Sequence, residues 1–288
     1  LWGQEFAQQI SDKGSDGLPG FKDSGFGFAM GADGGSAAGG WYGGAFTFYT
    51  GNVDQREPQT SRNNTQWYML SGYSTWRGKG LFLDTQITAG YGDLAAHRFI
   101  TLGSAANNTL VSRQADSKRS AVLGAAGLTT GANLVYGSTT LTPNIALDGL
   151  TMREEGYTET GGGGLTGDGF DLKVNPVLMS SLRGFVGLNL RQDVNFGSFF
   201  LQPELRAGYR YDFLSDRVNL TAAFTGVTGP GAGSFTVIGP QLSKGNLLGG
   251  ASVSATTGAW SIGLNYDMLS GSNGSMTQVG SLSLVGRI

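Results

Sequence analysis

The 288-residue chain combines 50 glycines with an aromatic share of 11%, and only 14% of its residues are charged. Its net charge of -2 and its scattered Lys and Arg residues provide no basic face, which argues against nucleic acid as a partner. With no cysteine and one histidine, disulfide frameworks and thiolate or multi-histidine metal sites are excluded, and no cofactor is expected. The aromatic content also argues against glycine-rich disorder.

No apolar stretch of about 18 residues occurs, so a helical membrane span is excluded. A closed β-barrel is then the structure that could cross a membrane with its backbone polar groups satisfied. Barrels reach this chain length as a single domain. The chain starts at Leu1 with neither a Met nor a signal peptide, which predicts a processed or trimmed part of a longer protein.

Twelve amphipathic segments follow one another along the chain. The predicted strands are 1–10, 20–32, 38–51, 65–78, 80–101, 118–136, 139–157, 169–192, 197–213, 245–256, 259–270 and 276–288. Long connections alternate with the short ones at 78–80, 137–138 and 258. Both chain ends then fall on the short-turn rim, which is the periplasmic rim of an outer-membrane barrel.

The alternation of apolar and polar residues is clearest over 198–213. Here Phe199 and Leu205 share one parity, while Glu204 and Arg206 have the other. Aromatic residues lie at both ends of the apolar face, with small aliphatic residues between them. This placement is typical of a surface that crosses hydrocarbon between two interfacial girdles. The sequence therefore predicts an all-β fold, a transmembrane antiparallel β-barrel of outer-membrane type with about twelve strands.

The parity of each strand assigns residues to its two faces. The predicted membrane-girdle residues are Phe199, Tyr209, Tyr211, Phe213, Trp260 and Tyr266. Further interfacial anchors are expected at Trp41, Tyr42, Phe46, Phe48, Trp67, Tyr68 and Trp76. The predicted pore-lining residues are Asp84, Asp148, Asp171, Lys173, Arg183, Asn189, Arg191, Glu204, Arg206, Arg210 and Asp267. Pro143, Pro176 and Pro203 fall on the apolar face, although proline is poorly tolerated inside a sheet.

The connection over 214–244 is long and apolar. Leu220 and Phe224 alternate with polar or small residues, as do Phe235 and Val237 farther along. This pattern predicts a hairpin that stands above the membrane or folds over the pore mouth, with an extended strand rim as the alternative.

Several stretches resemble the C-terminal translocator domain of type V secretion autotransporters. They are LQPELRAGYRYDF (201–213), LTAAFTG (220–226), SFTVIGPQL (234–242), LLGGASVSA (247–255) and the opening Trp-Gly-Gln at 2–4. The resemblance covers nearly the whole chain, and the order and spacing of these motifs are more specific than any one of them. The chain departs from the family at its last residue, Ile288, where a Phe or Trp is usual.

The resemblance implies a monomeric translocator domain spanning 1–288 in the bacterial outer membrane. Its implied partners are an N-terminal passenger and a linker helix that runs through the pore, both outside this chain. The outer-membrane lipid and lipopolysaccharide are implied as surroundings, and the barrel insertion machinery as the assembly factor. Some of the polar wall residues would then hold the linker helix or favour an extended polypeptide, although any water-filled barrel has a polar wall.

The predicted function is that of a translocator and anchor, with no reaction chemistry of its own. A passive porin or small-solute channel is the first alternative. An outer-membrane hydrolase is the second, with His97 as its base, but no G-x-S-x-G motif accompanies this histidine. A solvated His97 near the extracellular rim is the simpler interpretation.

Overall fold

Long antiparallel strands form almost all of the molecule. The computed structural model describes residues 1–14, 19–36, 40–55, 61–103, 110–163, 169–214, 217–226, 233–239 and 243–286. Its strands are β1 (Trp2–Asp12), β2 (Phe21–Ser36), β3 (Gly40–Gln55), β4 (Ser61–Gly78), β5 (Leu81–Leu102), β6 (Val111–Ala132), β7 (Leu134–Tyr136), β8 (Thr139–Glu154), β9 (Tyr157–Thr158), β10 (Leu172–Val174), β11 (Val177–Gln192), β12 (Val194–Asn195), β13 (Phe200–Asp212), β14 (Asn219–Phe224), β15 (Ser234–Ile238), β16 (Gly245–Thr257), β17 (Trp260–Gly271) and β18 (Met276–Gly286).

Twelve of these strands close into a barrel. Their order is β1, β2, β3, β4, β5, β6, β8, β11, β13, β16, β17 and β18, each antiparallel to the next. The last strand pairs back onto the first, from Trp2 opposite Val285 to Ser11 opposite Met276. Closure leaves no unpaired sheet edge within the wall, as a membrane barrel requires. The prediction of a twelve-stranded antiparallel barrel is confirmed.

Tight turns join the strands at one rim. Lys79 and Gly80 connect β4 to β5 with φ angles of 49° and 82°, a pair of positive values that suits the twist of a two-residue hairpin. Gly137 and Gly258 also have positive φ, between β7 and β8 and between β16 and β17. The predicted short turns at 78–80, 137–138 and 258 therefore exist. Within the described ranges, none of the structure is a helix with the length and hydrophobicity needed to cross a membrane.

At the other rim, β5 and β6 rise farther than predicted. They pair continuously up to Leu102 opposite Val111, so β6 begins seven residues before the predicted start at 118. Both faces of this upper hairpin carry polar residues such as Arg98 and Asp116. The alternation that identifies a strand in contact with lipid is therefore lost there, although the backbone pairing continues.

A second sheet continues the barrel wall at this rim. In this sheet β9, β10, β14 and β15 are paired in that order. The barrel strands β8, β11, β13 and β16 below them are paired in the same order. Val174 lies opposite Tyr157, which preserves the register in which Val177 lies opposite Glu154. The predicted strand 169–192 is thus interrupted at 175–176, where Pro176 has no N–H to donate. The hairpin predicted within 214–244 is β14 with β15.

The two faces of the wall are identified by a cavity of about 500 Å³. Its lining comes from six neighbouring strands and includes Asp84, Asn144, Asn189 and Glu204. Only the concave side of a curved sheet can bring residues of so many strands together. The parity of these residues therefore faces the lumen, and the opposite parity, with exposed residues such as Leu205, faces outward.

A buried apolar cluster lies inside the barrel. Trp67 packs there with Leu94 and Ala121, and Met69 and Leu123 lie against them. The predicted role of Trp67 as an interfacial anchor is therefore wrong, because its parity is that of the lumen and the ring is only 9% exposed. The ring has room because Gly92, on the next strand, has no side chain.

One carboxylate interrupts the outer apolar surface. Glu5 lies opposite Phe28 of β2 and Leu282 of β18, both of outward parity, and its own side chain is exposed. The next outward residue on β1, farther from the rim of tight turns, is Ala7. Glu5 therefore lies within the band that faces hydrocarbon, where ionisable residues are unfavourable.

We expect Glu5→Leu to raise the free energy of unfolding by about 1–2 kcal/mol, since it removes a carboxyl group from a lipid-facing position. Urea unfolding in phosphatidylcholine vesicles, followed by tryptophan fluorescence, measures this change. Gln9→Leu, four residues nearer the rim and beside Ser24 and Gln278, is the matched control and should change stability less. A loss of stability in Glu5→Leu would show that the carboxylate has a stabilising partner.

Candidate functional site

Most of the predicted pore-lining residues have lumen parity in the structure. The nine residues of this kind are Asp84 on β5, Asp148 on β8, Arg183, Asn189 and Arg191 on β11, Glu204, Arg206 and Arg210 on β13, and Asp267 on β17. They concentrate on one side of the barrel, from β5 to β17. The lumen therefore has a charged side.

Asp171 and Lys173 are not part of the barrel wall. Lys173 lies on β10 of the second sheet, and Asp171 precedes this strand. Val174, next to Lys173, lies opposite Tyr157, whose ring faces the lumen-parity Arg119 at 5.0 Å. Lys173 consequently points to the other face. Predicting both residues as pore-lining was wrong, because the interruption at 175–176 resets the parity that was extrapolated from β11.

Arg206 is the centre of the largest lumen network. Its Nη1 donates to Glu204 Oε1 at 3.1 Å and to Ser252 Oγ at 2.9 Å, and its Nη2 donates to Asp267 Oδ1 at 2.9 Å. Nη2 also donates to Asn265 Oδ1. Asp267 is two strands away from Arg206, with Gly250 between them in the ladder. A Cβ at Gly250 would lie 2.0 Å from Asp267 Oδ1, so glycine is what lets the pair meet.

A second cluster lies on the same charged side of the lumen, nearer the rim opposite the tight turns. Arg183 lies between Asp148 and Asp212 in the ladder, and its Nε is 3.3 Å from Asp212 Oδ2. Ser181 Oγ donates to the same oxygen at 2.7 Å, and the backbone N–H of Leu214 donates to Oδ1 at 3.1 Å. Asp212 was not predicted as a site residue, although its even parity on 198–213 was a signal for it.

Asp84 lies near the short-turn rim. Thr75 on β4 donates a hydrogen bond to its carboxylate, and Arg77 Nη2 lies 3.6 Å from it. Asp84 on β5 lines the same cavity as Asn189 and Arg191 on β11. The lumen charges thus form separate ion-paired groups along the barrel.

The wall formed by β1 to β4 has a different character. Trp2 Nε1 donates to Tyr73 Oη at 2.6 Å across two intervening strands, and the rings of Phe6 and Tyr49 stack at 6.2 Å. Gly31 lies beneath the Trp2 ring. This aromatic side of the lumen was not predicted from the sequence. The signal for it was Gly25, Gly27 and Gly31, which share one parity of β2 and so leave space that neighbouring rings fill.

An ion pair and a cation–ring contact join the second sheet and its flanking residues to the barrel. Arg98 of β5 donates from Nε to Glu159 Oε1 at 3.0 Å, and Glu159 is only 6% exposed. Arg119 of β6 donates to Glu154 Oε2 at 2.6 Å and faces Tyr157. Burial is the main cause that raises the pKa of the Tyr157 phenol. These contacts fix the wall extension above the lumen.

His97 lies on the outer parity of the upper β5–β6 hairpin. Its Nδ1 is 2.7 Å from Asp116 Oδ1 and 3.3 Å from Gln114 Nε2. The hydrogen bond from His97 is the first cause, and that from Gln114 the second, that hold the pKa of the Asp116 carboxyl below its ordinary value of 3.8. No serine or threonine hydroxyl is hydrogen-bonded to the ring among the described residues.

We expect His97→Ala to raise the pKa of Asp116 toward 3.8, as seen by ¹³C NMR titration of its carboxyl carbon in nanodiscs. Gln114→Leu should raise it less. Because the pKa of Asp116 is depressed in the folded protein, this contact stabilises the folded rim at pH values above the ordinary Asp pKa. The stabilisation is lost as the pH falls through the folded-state pKa. An unchanged Asp116 pKa in His97→Ala would contradict the assigned cause.

The six predicted girdle residues are all exposed. Tyr209, Tyr211, Phe213, Trp260 and Tyr266 have outward parity, and Phe199 stacks on Phe196 at 4.8 Å beside β13. Tyr211 and Phe213 contact edge to face at 5.3 Å. These positions are compatible with aromatic belts at the two ends of the lipid-facing surface.

The barrel is closed, and its lumen has a charged side and an aromatic side. Its charged side offers hydrogen bonds to water or to a polypeptide backbone, and its aromatic side offers contact to apolar groups. In the part of the chain that the structure describes, no group of three or more His, Cys, Asp or Glu residues could hold a metal ion. Such a lumen suits passage or retention of a polypeptide or solute.

Comparisons with known proteins agree with this architecture. The translocator domain of the autotransporter NalP from Neisseria meningitidis has a TM-score of 0.73 at 15% identity, covering 100% of this chain and 88% of that one. The β domain of the Bordetella autotransporter BrkA has a TM-score of 0.63 at 16% identity, with 100% and 98% covered. The transport unit of AIDA-I from Escherichia coli has a TM-score of 0.59 at 14% identity, with 100% and 90% covered.

A search of curated protein sequences gave no match. The family model described as the autotransporter beta-domain, in contrast, matches residues 1–267. This range includes every strand up to β16 and the larger part of β17, and it leaves out β18. The resemblance found in the sequence motifs is therefore confirmed by an independent comparison. This chain belongs to the autotransporter beta-domain family.

Proposed function

We propose that this chain is the translocator and membrane anchor through which an N-terminal passenger is exported to the cell surface. The single observation that carries the proposal is the closed twelve-stranded barrel with a charged and aromatic lumen in a chain of the autotransporter beta-domain family. The proposed location is the bacterial outer membrane, and the whole of 1–288 acts as one domain. Its proposed role includes no reaction chemistry.

The lumen is the proposed path and resting place of the connecting polypeptide. The aromatic side around Trp2 and Phe6 would contact apolar residues of a linker helix. The charged side around Arg206 would contact its polar residues. The same barrel would be assembled as a monomer by the outer-membrane insertion machinery and would be surrounded by lipid and lipopolysaccharide.

The experiment is a surface-display assay. A signal peptide, an epitope-tagged reporter and a helical linker are fused before Leu1 and expressed in a bacterium with an outer membrane. We expect the epitope to be cut by protease added to intact cells, while the barrel migrates as a folded, heat-modifiable species. A matched fusion lacking the β17–β18 strands, which cannot close the barrel, should leave the epitope protected.

An inserted, heat-modifiable barrel with its epitope retained in the periplasm would contradict the proposal. If the same purified barrel without the fusion then gave large, steady ion conductance in planar bilayers, the lumen would be that of a passive channel. Export together with low conductance of the fused form would support a lumen filled by the linker.

A further inference from the structure

The outer surface changes from apolar to polar along β2 to β5, sharply on β3 to β5 and one level higher on β2, where Phe26 is also exposed. Phe28, Phe48, Tyr68 and Tyr91 lie directly opposite one another on these four strands. The rings of Phe28 and Phe48 are 5.7 Å apart, and those of Phe48 and Tyr68 are 5.3 Å apart. On β3 to β5 this aromatic row marks the edge of the hydrocarbon-facing band, where such rings are favoured.

Immediately above the aromatic row, the outward residues of β4, β5 and β6 are polar. Gln66, Asp93 and Ser120 form the first level in the ladder. Asn64 and Lys118 lie on the next level, with Ala95 between them. These residues line a cleft of about 640 Å³ on the outside of the barrel, with Tyr91 at its lower edge.

Lys118 differs from three other cations of this rim, which are all paired. Arg62 is paired with Asp54 at 2.7 Å, His97 with Asp116 at 2.7 Å, and Arg153 with Glu155 at 3.4 Å. Lys118 is exposed and has no ion pair or hydrogen bond within the described ranges. The cleft therefore presents an ammonium group that has no ion pair, together with the amide donors of Asn64 and Gln66.

We propose that this cleft binds the phosphate of a phosphorylated lipid headgroup in the outer leaflet. Lys118 supplies the charge, and the side-chain amides and Ser120 supply hydrogen bonds to phosphate oxygens. A lipid is favoured over free phosphate because the cleft opens directly onto the apolar band. Acyl chains could lie there against Tyr91, Val122 and Ile87, all of outward parity and exposed.

Asp93 is the opposing charge in the cleft. Its carboxylate accepts a hydrogen bond from Tyr91 Oη at 3.1 Å and lies one ladder level below Lys118. In the absence of divalent cations, this carboxylate repels a phosphate. The site therefore predicts opposite effects of its two charges: neutralising Lys118 weakens binding, and neutralising Asp93 strengthens it.

The inference rests on the outer-membrane location proposed above, but its test does not depend on passenger export. The purified chain, folded in detergent micelles with EDTA present, is titrated with diphosphorylated lipid A and examined by native mass spectrometry. Lys118→Gln should weaken binding about fivefold, the effect of about 1 kcal/mol for one cation near a lipid surface. Asp93→Asn should strengthen it by a similar factor.

Lys22→Gln is the matched control. Lys22 is also exposed and of outward parity above the aromatic row, but it lies on β2, outside the cleft. Its replacement should leave binding unchanged, and fully dephosphorylated lipid A should bind only at background level. Inorganic phosphate at the same concentration should not compete. Heat-modifiability confirms that each variant is folded.

Three results would overturn the inference. Equal losses in Lys118→Gln and Lys22→Gln would show attraction to the whole rim without a site. Equal binding of dephosphorylated lipid A would show that the phosphate is not recognised. Competition by inorganic phosphate would show that the site recognises the anion without the lipid. Export in the display assay would remain measurable in each case, so the two proposals fail separately.

Discussion

Replacing Arg206 with Met should lower the free energy of unfolding by about 2–3 kcal/mol. The guanidinium, 17% exposed, is shared by Glu204 and Asp267, which are 23% and 25% exposed. Its loss leaves two carboxylates close together in the lumen without their cation, and breaking one side of a buried pair costs about 3–5 kcal/mol. Access of water to the lumen reduces this value. Urea unfolding in vesicles gives the difference.

Arg191→Met is the matched control for the same lumen. Arg191 lies on the neighbouring strand β11, is 40% exposed and has a single partner, Asp193, at 3.4 Å. Its loss should cost less than about 1 kcal/mol, as for exposed ion pairs. Adding Asp267→Asn to Arg206→Met should recover part of the stability, because it removes an unpaired charge. Equal costs for the two arginines would contradict the central role of Arg206.

The sequence predicted the barrel because lipid and lumen impose opposite demands on alternate residues. Over 198–213 this contrast is strong, since Leu205 contacts the hydrocarbon side while Glu204 and Arg206 face the lumen. Where both faces of a strand are in water, the contrast disappears. This is why the upper part of β6 was not predicted. Lys173 was assigned to the wrong face because the parity of β11 does not continue through the interruption at 175–176.

The site was predicted less completely than the fold. Parity assigned Arg206 and Asp267 to the lumen, but it could not show that they meet. That contact joins residues 61 positions apart, on strands separated by a third. It depends on the barrel register and on the missing side chain of Gly250, neither of which a single strand pattern contains. Trp67 was misassigned for a related reason, because tryptophan occurs both at membrane interfaces and in barrel interiors.

Glycine on the lumen face of β2 should be less replaceable than glycine on its outer face. A Cβ at Gly31 would lie 2.5 Å from the Trp2 ring and 2.7 Å from the backbone oxygen of Gly44. Gly31→Val must therefore displace Trp2, and with it the hydrogen bond to Tyr73, or move the neighbouring strand. We expect a loss of about 2 kcal/mol, typical of overpacking in an ordered interior. Urea unfolding in vesicles measures it.

Gly34→Val, on the same strand, makes the comparison decisive. A Cβ at Gly34 meets nothing within 4 Å, and its outward parity places it opposite the exposed Tyr42. Valine is favoured over glycine in strands, so this variant should be neutral or more stable than the wild type. The fluorescence of Trp2 should respond to Gly31→Val alone. If both variants lost the same stability, glycine would serve the flexibility of β2, and the aromatic wall would not depend on Gly31.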